Sequence, residues 1–448
     1  MRLSPQNLPP SGIKGPNYAR EEHAVGIVHF GIGAFHRAHQ AAFTDAALNA
    51  GDRDFLITGV SMRSPSVAEA LNPQSGLYSL TEREGEQRSV RLIGAVKNVL
   101  VATQDPEAVT RALAERSVCV ASFTITEKGY RRGADRAFPP FCALLVRGLE
   151  ERRALGLGGL TLISCDNLPD NGVVLQTLIR DYVEAHAPDL AAWIEAQCAF
   201  PSSMVDRIVP ATTPQDLSDV EHALGLRDEG AVLTEPFRQW VMEDRFAGRR
   251  PRWELMGAQI VQDVRPFERA KLRMLNGAHS ALAYLGLERG WTFVHQAIDD
   301  PALSPIIERL MRVEAASSFE PAPDQDLQAY AQALLQRFHN PALNHRLAQI
   351  AMDGSQKIPQ RWLETLSIHQ SRGETCPALL TALAAWVRHV RGDGEAVNDP
   401  MAETLAALWR QNGSSGMASA LFGETGLLTG AWRASPENLG RLTNLIAR

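Results

Sequence analysis

The sequence predicts an α/β protein with an N-terminal doubly wound domain and a mainly α-helical C-terminal domain. Three observations support this fold class. Short apolar runs alternate with helical patterns in the first half, a Gly-x-Gly turn follows the first run, and long helical patterns without strands begin at about Arg265. The length of 448 residues also exceeds the usual size of one core and favours two domains.

The strands of the first half are predicted from four apolar runs, each of which ends in turn-forming residues. Because helical patterns separate these runs, we expect βαβ units and a parallel sheet. The predicted strands are Gly26–Gly31, Phe55–Ser61, Val118–Thr126 and Leu160–Cys165.

The second half shows apolar residues at helical spacing over long stretches. The preceding segment, Ala231–Phe267, contains three prolines and is predicted to be a connection. We place the domain boundary near Asp263, which divides the chain into residues 1–262 and 263–448. The predicted helices of the second domain include Ala270–Leu287, Pro301–Glu314, Leu327–Phe338 and Pro377–Val390.

Composition excludes several classes of protein. The net charge is −6, and the 45 basic residues are spread along the chain, so neither nucleic acid nor a membrane surface is expected as a partner. No stretch reaches the ~18 apolar residues of a membrane span, and we expect a soluble, cytoplasmic protein. Five widely spaced cysteines predict reduced thiols and neither a disulfide framework nor a metal site.

The Gly-x-Gly turn lies between the first predicted strand and a helix that begins around Phe35. Such a turn lets the backbone approach a pyrophosphate at the free N–H groups of the helix. His36 occupies the position of the usual third glycine, so an ordinary tight turn is the alternative. The location in an α/β half favours a Rossmann-type dinucleotide site, with candidate residues Gly31, Ile32, Gly33, Ala34, Phe35, His36 and Arg37.

The second predicted strand ends in Met62-Arg63-Ser64-Pro65 and offers no carboxylate for the adenosine ribose. Arg63 could contact the adenine or a 2′-phosphate, or it could be a solvated turn arginine. NAD(H) is therefore the expected cofactor, with NADP(H) as an alternative.

A polar cluster occupies the helix that starts at Pro266. At ~100° per residue, Glu268, Lys271, Asn276 and His279 fall within an arc of about 140°. Carbinol oxidation needs a base for the hydroxyl proton and donors for the developing oxyanion, and Lys271 and Asn276 fit these two roles. The alternatives are a solvated Lys–Glu pair and a structural histidine.

Polar residues also follow two other predicted strands. Asn167 stands beyond Leu160–Cys165, where ligands of parallel sheets bind, whereas Asn171-Gly172 is expected to be a turn and Asp166 a possible helix cap. Lys128 follows Val118–Thr126 and competes with Lys271 for the role of catalytic lysine.

The later segment Asp353–Arg361 is expected to close a helix. Its cations, Lys357 and Arg361, would bind either substrate oxygens or the helix end.

These segments together resemble the mannitol dehydrogenase family, the polyol-specific long-chain dehydrogenases, over nearly the whole chain. The resemblance implies a Rossmann-type domain, a helical C-terminal domain and no catalytic metal. It further implies Lys271 as acid–base, Asn167 and Asn276 as oxyanion donors and His279 as substrate ligand. The position of Glu268, one turn before Lys271, separately suggests a proton relay or a partner of the lysine. The matching motifs are Gly31-x-Gly33-x-Phe35-His36-Arg37-x-His39, Thr126-Glu-Lys-Gly-Tyr130, Ser164-Cys-Asp-Asn167 and Lys271-x4-Asn276-x2-His279.

Asp206 and Lys357 fall on positions that look like substrate contacts of the mannitol enzymes of the family, whereas Gln349 replaces an expected arginine. That departure makes the chain more similar to the fructuronate reductase branch, which interconverts D-fructuronate and D-mannonate with NAD(H). The segment after Tyr130 is also shorter in this chain than in its relatives. The segments that favour this branch are Glu235–Trp240, Lys271–Gly277 and Ile350–Arg361.

A hexuronate carries a carboxylate, for which Arg361, Lys357 or Arg238 could supply the binding cation. The alternatives are a D-mannitol 2-dehydrogenase, a D-arabinitol dehydrogenase and, from another class, a catalytically silent dinucleotide-binding protein. The expected partner is a small sugar acid or polyol, and we expect a monomer or a small homo-oligomer.

Overall fold

A computed structural model describes residues 1–10, 12–133, 136–393 and 397–448. The chain folds into two compact units, Met1–Val264 and Arg265–Arg448. Each unit has a hydrophobic core of its own.

The N-terminal unit contains all the strands of the described part of the chain. They are β1 (Val25–Phe30), β2 (Leu56–Ser61), β3 (Tyr78–Glu84), β4 (Gln87–Ile93), β5 (Val96–Val101), β6 (Val120–Phe123), β7 (Thr161–Ser164), β8 (Ser203–Asp206), β9 (Val232–Thr234), β10 (Gln239–Glu243) and β11 (Gln259–Val261). Its α-helices are α1 (Ala34–Ala38), α2 (Gln40–Asn49), α3 (Ser66–Leu71), α4 (Pro106–Ala114), α5 (Pro140–Ala154), α6 (Asn171–His186), α7 (Ala191–Gln197) and α8 (Pro214–Leu224).

A five-stranded parallel sheet organises this unit, in the order β5-β2-β1-β6-β7. Every residue of β1, β6 and β7 is buried, as expected for strands that are covered on both faces. After β1, the chain adds β2 and β5 on one side of the sheet and then β6 and β7 on the other side. The strand order therefore reverses at a switch point between β1 and β6. The predicted parallel α/β fold is confirmed, and the four predicted strands correspond to β1, β2, β6 and β7. β1 is shifted by one residue from its predicted bounds, β2 and β7 are one and two residues shorter, and β6 covers only Val120–Phe123 of the predicted Val118–Thr126. The fifth strand, β5, was not predicted.

The strand pattern outside this sheet was not predicted. Two three-stranded sheets, β11-β10-β8 and β4-β3-β9, complete the unit. The expectation that Ala231–Phe267 is a plain connection is wrong, because it contains β9, β10 and β11. These strands are three to five residues long and pair with distant segments, β9 with β3 and β10 with β8, and local sequence shows no such pairing.

The C-terminal unit is mainly helical, as predicted. Its α-helices are α9 (Arg265–Ala270), α10 (Gly277–Glu288), α11 (Val294–Asp299), α12 (Ser304–Arg309), α13 (Leu327–Phe338), α14 (Leu347–Ala351), α15 (Gly354–Ile358), α16 (Glu364–Ser371), α17 (Pro377–His389), α18 (Ala402–Phe422, interrupted at Gly413) and α19 (Pro436–Ile446). Three π-helical segments, Lys271–Asn276, Leu310–Ala315 and Pro359–Leu363, continue α9, α12 and α15. Short 3₁₀ turns occur in both units, at Arg20–Glu22, Asn72–Gln74, Glu127–Tyr130, Pro188–Leu190, Trp253–Met256, Ala316–Ser318 and Pro341–Leu343.

The predicted helices differ from the structure chiefly in regularity. Leu327–Phe338 is confirmed to the residue, and Pro377–Val390 is one residue shorter. Pro301–Glu314 begins later, at Ser304, and its second half is π-helical. Hydropathy spacing locates these helices correctly, but it does not distinguish an α-turn from the wider π-turn.

Among the described residues, no helix is long and apolar enough to cross a bilayer. The five cysteines are free thiols, three of them buried. In the same part of the chain, no group of His, Cys, Asp or Glu residues is arranged to hold a metal ion.

Candidate active site

The glycine turn lies at the carboxyl end of β1, beside the switch point of the parallel sheet. Gly31 has φ 91°, a left-handed conformation, and its N–H donates to the carbonyl of Val60 at 2.8 Å. A Cβ atom on Gly31 would overlap the carbonyl oxygen of Thr124. Glycine is therefore required at this position by the packing of the turn itself.

Gly33 differs from Gly31 because the fold does not require it. Its φ is −89°, and the nearest neighbour of an added Cβ would be the carbonyl oxygen of Gly31 at 3.8 Å. The residue is exposed, so the space beside it is open. A glycine in this situation fits a group that must approach the backbone closely, such as the pyrophosphate of a dinucleotide.

The helix after the turn is short. α1 covers five residues and ends at Ala38, and the next residue, His39, with φ −118° and ψ −91°, separates it from α2. His36 is fully buried and stacks on His29, with 3.4 Å between the ring centroids. Its two ring nitrogens have no partner among the described residues. The side chain that replaces the third glycine thus supports the turn from the interior.

His29 anchors this stack to the sheet. Its two ring nitrogens lie 2.8 Å from Ser122 Oγ and 2.8 Å from Thr124 Oγ1. Burial lowers the pKa of His29 to about 3, and burial, reinforced by neighbouring positive charge, lowers the pKa of His36 well below its usual value. Both rings are therefore neutral at neutral pH.

These buried histidines predict a loss of stability in mild acid. Their folded-state pKa values lie below the usual ~6.5, so the unfolded chain binds protons that the native state does not. Each such histidine should lower the free energy of unfolding by about 1.4 kcal/mol per pH unit below ~6.5. Urea unfolding at pH 7 and pH 5.5 should show a lower midpoint at pH 5.5.

The exposed His222 supplies a matched control. His222→Gln should leave the difference between the two midpoints unchanged. A midpoint that is equal or higher at pH 5.5 would contradict the prediction of neutral buried rings.

The remaining predicted cofactor residues occupy two environments. Arg37 is buried, with its guanidinium 5.9 Å from the centre of the Tyr78 ring, and its carbonyl accepts a hydrogen bond from the Tyr78 hydroxyl at 2.7 Å. Arg63 is exposed in the turn after β2, where its carbonyl accepts from Thr103 Oγ1 at 3.3 Å. Arg63 is thus placed next to the β1 turn, at the carboxyl end of the adjacent strand.

A hydrogen-bond network shapes the ends of β6 and β7. The Asp166 carboxylate accepts from the backbone N–H of Ile125 at 2.9 Å, from that of Thr126 at 2.8 Å and from the Tyr130 hydroxyl at 2.7 Å. The same hydroxyl lies 2.7 Å from Ser164 Oγ. Burial raises the pKa of Asp166, and these hydrogen bonds oppose that shift. Asp166 therefore ties the two strand ends together.

Two expectations about this loop are wrong. Asp166 does not cap the next helix, because its oxygens are occupied by the β6 loop, and Asp170 precedes α6 instead. Asn171-Gly172 is the first turn of α6 and not a loop turn. Asn171 is buried and bonds the carbonyl of Ser203 at 2.7 Å, while Gly172 packs against the backbone of residues 200–202.

Asn167 is exposed directly after Asp166, so its position is set by the network below it. Lys128 is also exposed, in the 3₁₀ turn Glu127–Tyr130. Asp206 is buried at the end of β8, opposite Gln239 of β10. In the N-terminal unit, the glycine turn and Asn167 thus both lie at the carboxyl end of the parallel sheet. Asp206 lies on a second sheet.

Arg238, a candidate for carboxylate binding, is already paired. Its Nη1 lies 3.6 Å from the Glu82 carboxylate, which also contacts the buried Arg207. The Arg238 guanidinium stands 5.9 Å from the centre of the Phe43 ring.

The catalytic-lysine candidate Lys271 begins a π-helical segment, and not a continuous α-helix as predicted. The N–H of Gly277 donates to the carbonyl of Leu272, five residues earlier. The angular arc calculated with ~100° per residue therefore does not apply across Lys271–Asn276, because a π-turn holds more residues. Lys271, Asn276 and Glu268 are all partly buried.

His279 follows in the first turn of α10 and is buried, 8% exposed. Its ring centroid lies 4.8 Å from that of Phe338 and 5.3 Å from that of His345. Burial lowers its pKa well below the usual value, and the nearby His345, Arg337 and Arg361 add to this shift. Its Nε2 has no partner among the described residues, so a neutral imidazole is available to hydrogen-bond a ligand oxygen.

The segment Asp353–Arg361 begins a helix and does not close one, contrary to expectation. Asp353, at φ 57°, precedes α15. The Lys357 ammonium donates to the carbonyls of Met352 at 2.5 Å and Ile350 at 3.4 Å. The alternative interpretation of this lysine, that it binds a helix end, thus has direct structural support, because these carbonyls end α14.

Arg361 contacts the segment that carries the predicted catalytic groups. Its Nη1 donates to Ser280 Oγ at 2.8 Å and to the carbonyl of Asn276 at 3.3 Å. The neighbouring Trp362 Nε1 donates to the carbonyl of Gly277 at 3.0 Å. The C-terminal unit thus brings Arg361 together with Asn276 and the helix of His279.

Sequence reasoning missed the supporting residues. Ser280 and Trp362 fix Arg361 and its segment. Tyr130 was noted only as part of a motif, although it bridges Ser164 and Asp166. The sequence signal for Ser280 was its position directly after His279, the candidate substrate ligand.

Comparison with known proteins shows two family matches along the chain. Residues 25–255 match the mannitol dehydrogenase Rossmann domain, and residues 263–427 match the mannitol dehydrogenase C-terminal domain. Among curated proteins, an uncharacterized oxidoreductase of Escherichia coli (strain K12), YeiQ, is 41% identical over 92% of this chain and 89% of its own length. The D-mannonate oxidoreductase of the same organism is 38% identical over 98% of this chain and 95% of its own length.

Among solved structures, the Pseudomonas fluorescens mannitol 2-dehydrogenase, a ternary complex with NAD and D-mannitol, superimposes with a TM-score of 0.81. It is 32% identical, and the match covers 100% of this chain and 96% of that chain.

Proposed function

Because this chain belongs to the mannitol dehydrogenase family of oxidoreductases, which act on CH–OH groups, we propose that it interconverts D-fructuronate and D-mannonate with NAD(H). The substrate part of the proposal is supported by the D-mannonate oxidoreductase match, which extends over nearly the whole of both chains. The cofactor part is supported by the glycine turn at the switch point and by the similar structure that contains NAD.

The observation that carries the reaction type is the local arrangement around Lys271. One π-turn and the following α-turn present an amine, an amide and a neutral imidazole within nine residues, at Lys271, Asn276 and His279. π-helical segments are rare and frequently lie at functional sites. A base, an uncharged donor and a substrate ligand are the groups that carbinol oxidation requires.

Bound at the glycine turn, the oxidised cofactor would supply the hydride acceptor for carbinol oxidation, and the reduced cofactor would supply the hydride donor for ketone reduction. The residues that would hold it are Gly31–Arg37, through the backbone of the turn, and Arg63 beside the adenosine. The open space at Gly33 fits such a group.

The protein's own groups handle the oxygen and its proton. We assign to Lys271 the removal of the hydroxyl proton in oxidation and its return in reduction. Asn167 and Asn276 would donate to the oxygen as negative charge develops on it, and His279 would hydrogen-bond the substrate. Glu268, one turn before Lys271, would pass the proton onward, and Asp206 and Lys357 would bind hydroxyl groups.

An initial-rate assay of the purified protein tests this proposal. D-Fructuronate and D-fructose would each be supplied with NADH and with NADPH, in the presence of EDTA. We expect NADH oxidation with a strong preference for D-fructuronate. Preference for D-fructose would make the protein a mannitol dehydrogenase, and cofactor binding without turnover of either sugar would indicate a catalytically silent protein.

The role of Asn167 makes a separate prediction. Asn167→Ala should lower kcat by about 10²–10³-fold, the usual effect of removing one oxyanion donor. Steady-state kinetics with the preferred substrate would measure it, with Pro169→Ala, on the same exposed loop, as control. A change confined to KM would show that Asn167 only binds the ground state.

A further inference from the structure

The three cations that could bind a substrate carboxylate differ in the partners that they already have within the fold. Arg238 faces the Glu82 carboxylate at 3.6 Å. Lys357 has two backbone carbonyls around its ammonium, at 2.5 and 3.4 Å. Both groups therefore have partners within the fold.

Arg361 also has partners, but both are uncharged and both contact the same nitrogen. Its hydrogen bonds use Nη1 alone, toward Ser280 Oγ and the carbonyl of Asn276. Across the described ranges of the chain, no carboxylate lies within ion-pair distance of this guanidinium. Burial lowers the pKa of Arg361 to about 10, which leaves it charged at neutral pH.

The geometry of the guanidinium adds a second argument. With Nη1 occupied, Nε and Nη2 remain, and their N–H bonds are parallel on one edge of the planar group. Such an edge binds a carboxylate through two hydrogen bonds. Because Ser280 and Asn276 hold the opposite side, the edge is presented in a fixed orientation.

We infer that Arg361 is the specificity-determining residue that receives the carboxylate of a sugar-acid substrate through its Nε–Nη2 edge. The inference rests on the proposed function, since it concerns the same site. A keto-hexuronate has three carbinol carbons between its ketone and its carboxylate. Arg361 is bonded to Asn276, the proposed donor to the reacting oxygen, so the two ends of one substrate would meet the same helical stretch.

Charge explains why this residue would select acids over polyols. A partly desolvated cation without a counter-ion is costly, and a bound carboxylate removes that cost. The hydroxymethyl group of a neutral ketohexose accepts hydrogen bonds but does not neutralise the charge. Arg361 should therefore discriminate by substrate charge, and the proton-transfer groups should be indifferent to it.

The test compares Arg361→Gln with the wild-type full-length protein on D-fructuronate and D-fructose. We expect kcat/KM for D-fructuronate to fall about 10²–10³-fold, mainly through KM, because one partner of a charged hydrogen-bonded pair is lost. D-Fructose turnover should change by less than about fivefold. Arg361→Lys should give an intermediate loss, since it retains the charge without the two-bond edge.

Two further variants serve as controls. Ser280→Ala removes one anchor of Arg361 and should raise KM for the acid by a smaller factor than Arg361→Gln does. Arg441→Gln removes an exposed arginine of the same unit, paired with Glu437, and should leave both substrates unaffected.

Binding measurements keep the inference decidable if either sugar is not turned over. Calorimetric titration of D-mannonate and D-mannitol into the protein with NAD would show a selective loss of D-mannonate affinity in Arg361→Gln. Equal losses for acid and polyol would overturn the inference, as would a selective loss in Lys357→Gln but not in Arg361→Gln. Absence of D-fructuronate turnover in the wild type would instead overturn the proposed function.

Discussion

Replacement of Lys271 by alanine is expected to lower kcat by about 10²–10⁴-fold, the range over which a positioned acid–base group contributes. The affinity for NADH should be unchanged, because the lysine is proposed to act on the carbinol oxygen and not on the cofactor. Steady-state kinetics with the preferred sugar, together with NADH fluorescence titration, would measure the two effects separately.

Lys128 supplies the matched control for this substitution. It is the other lysine considered for the catalytic role, and it is exposed in a 3₁₀ turn of the N-terminal unit. Lys128→Ala should keep kcat within about twofold. Near-normal turnover in Lys271→Ala, or a large loss in Lys128→Ala, would reverse the assignment of the catalytic lysine.

The two glycines of the β1 turn should respond differently to alanine. Gly31→Ala places a side chain at φ 91° and against the Thr124 carbonyl, so we expect the free energy of unfolding to fall by about 2–4 kcal/mol. Gly33→Ala meets no close neighbour in the fold and should change that free energy by less than about 0.5 kcal/mol. It should nevertheless raise the Kd for NADH at least tenfold, because the added methyl group occupies the space proposed for the pyrophosphate.

Urea unfolding and NADH titration of both variants separate stability from cofactor binding. Unchanged NADH affinity in Gly33→Ala would show that the dinucleotide does not approach this turn. Unchanged stability in Gly31→Ala would show that the Thr124 backbone relaxes without cost.

Four of the five strands of the parallel sheet were predictable because they are short, apolar and separated by helical patterns. β5 was missed, since the strand is only partly buried. β1 and β7 are buried along their whole length, so their hydropathy alone marks them. β9 and β10 were missed because each has only three to five residues and lies between prolines. Their existence depends on pairing with β3 and β8, which the local sequence does not reveal.

The candidate site was predictable as a set of residue types and much less so as a geometry. Lys271, Asn276 and His279 stand out by chemistry and spacing, but the assumed α-helix is π-helical between the first two. The partners of Arg361 come from a segment 81 and 85 positions away in sequence. The roles of Asn167 and Lys271 are predictions, which the alanine substitutions at these two residues test.

The π-turn at Lys271–Asn276 means that residue count, and not residue identity alone, sets the directions of the groups that follow it. A π-turn holds an extra residue compared with an α-turn, so the backbone is wider while the helix on either side keeps its course. Two homologous chains could therefore share every functional side chain and yet orient Asn276 and His279 differently if one of them lacked a single residue here. A comparison of such chains should therefore consider the number of residues in this turn as well as their identity.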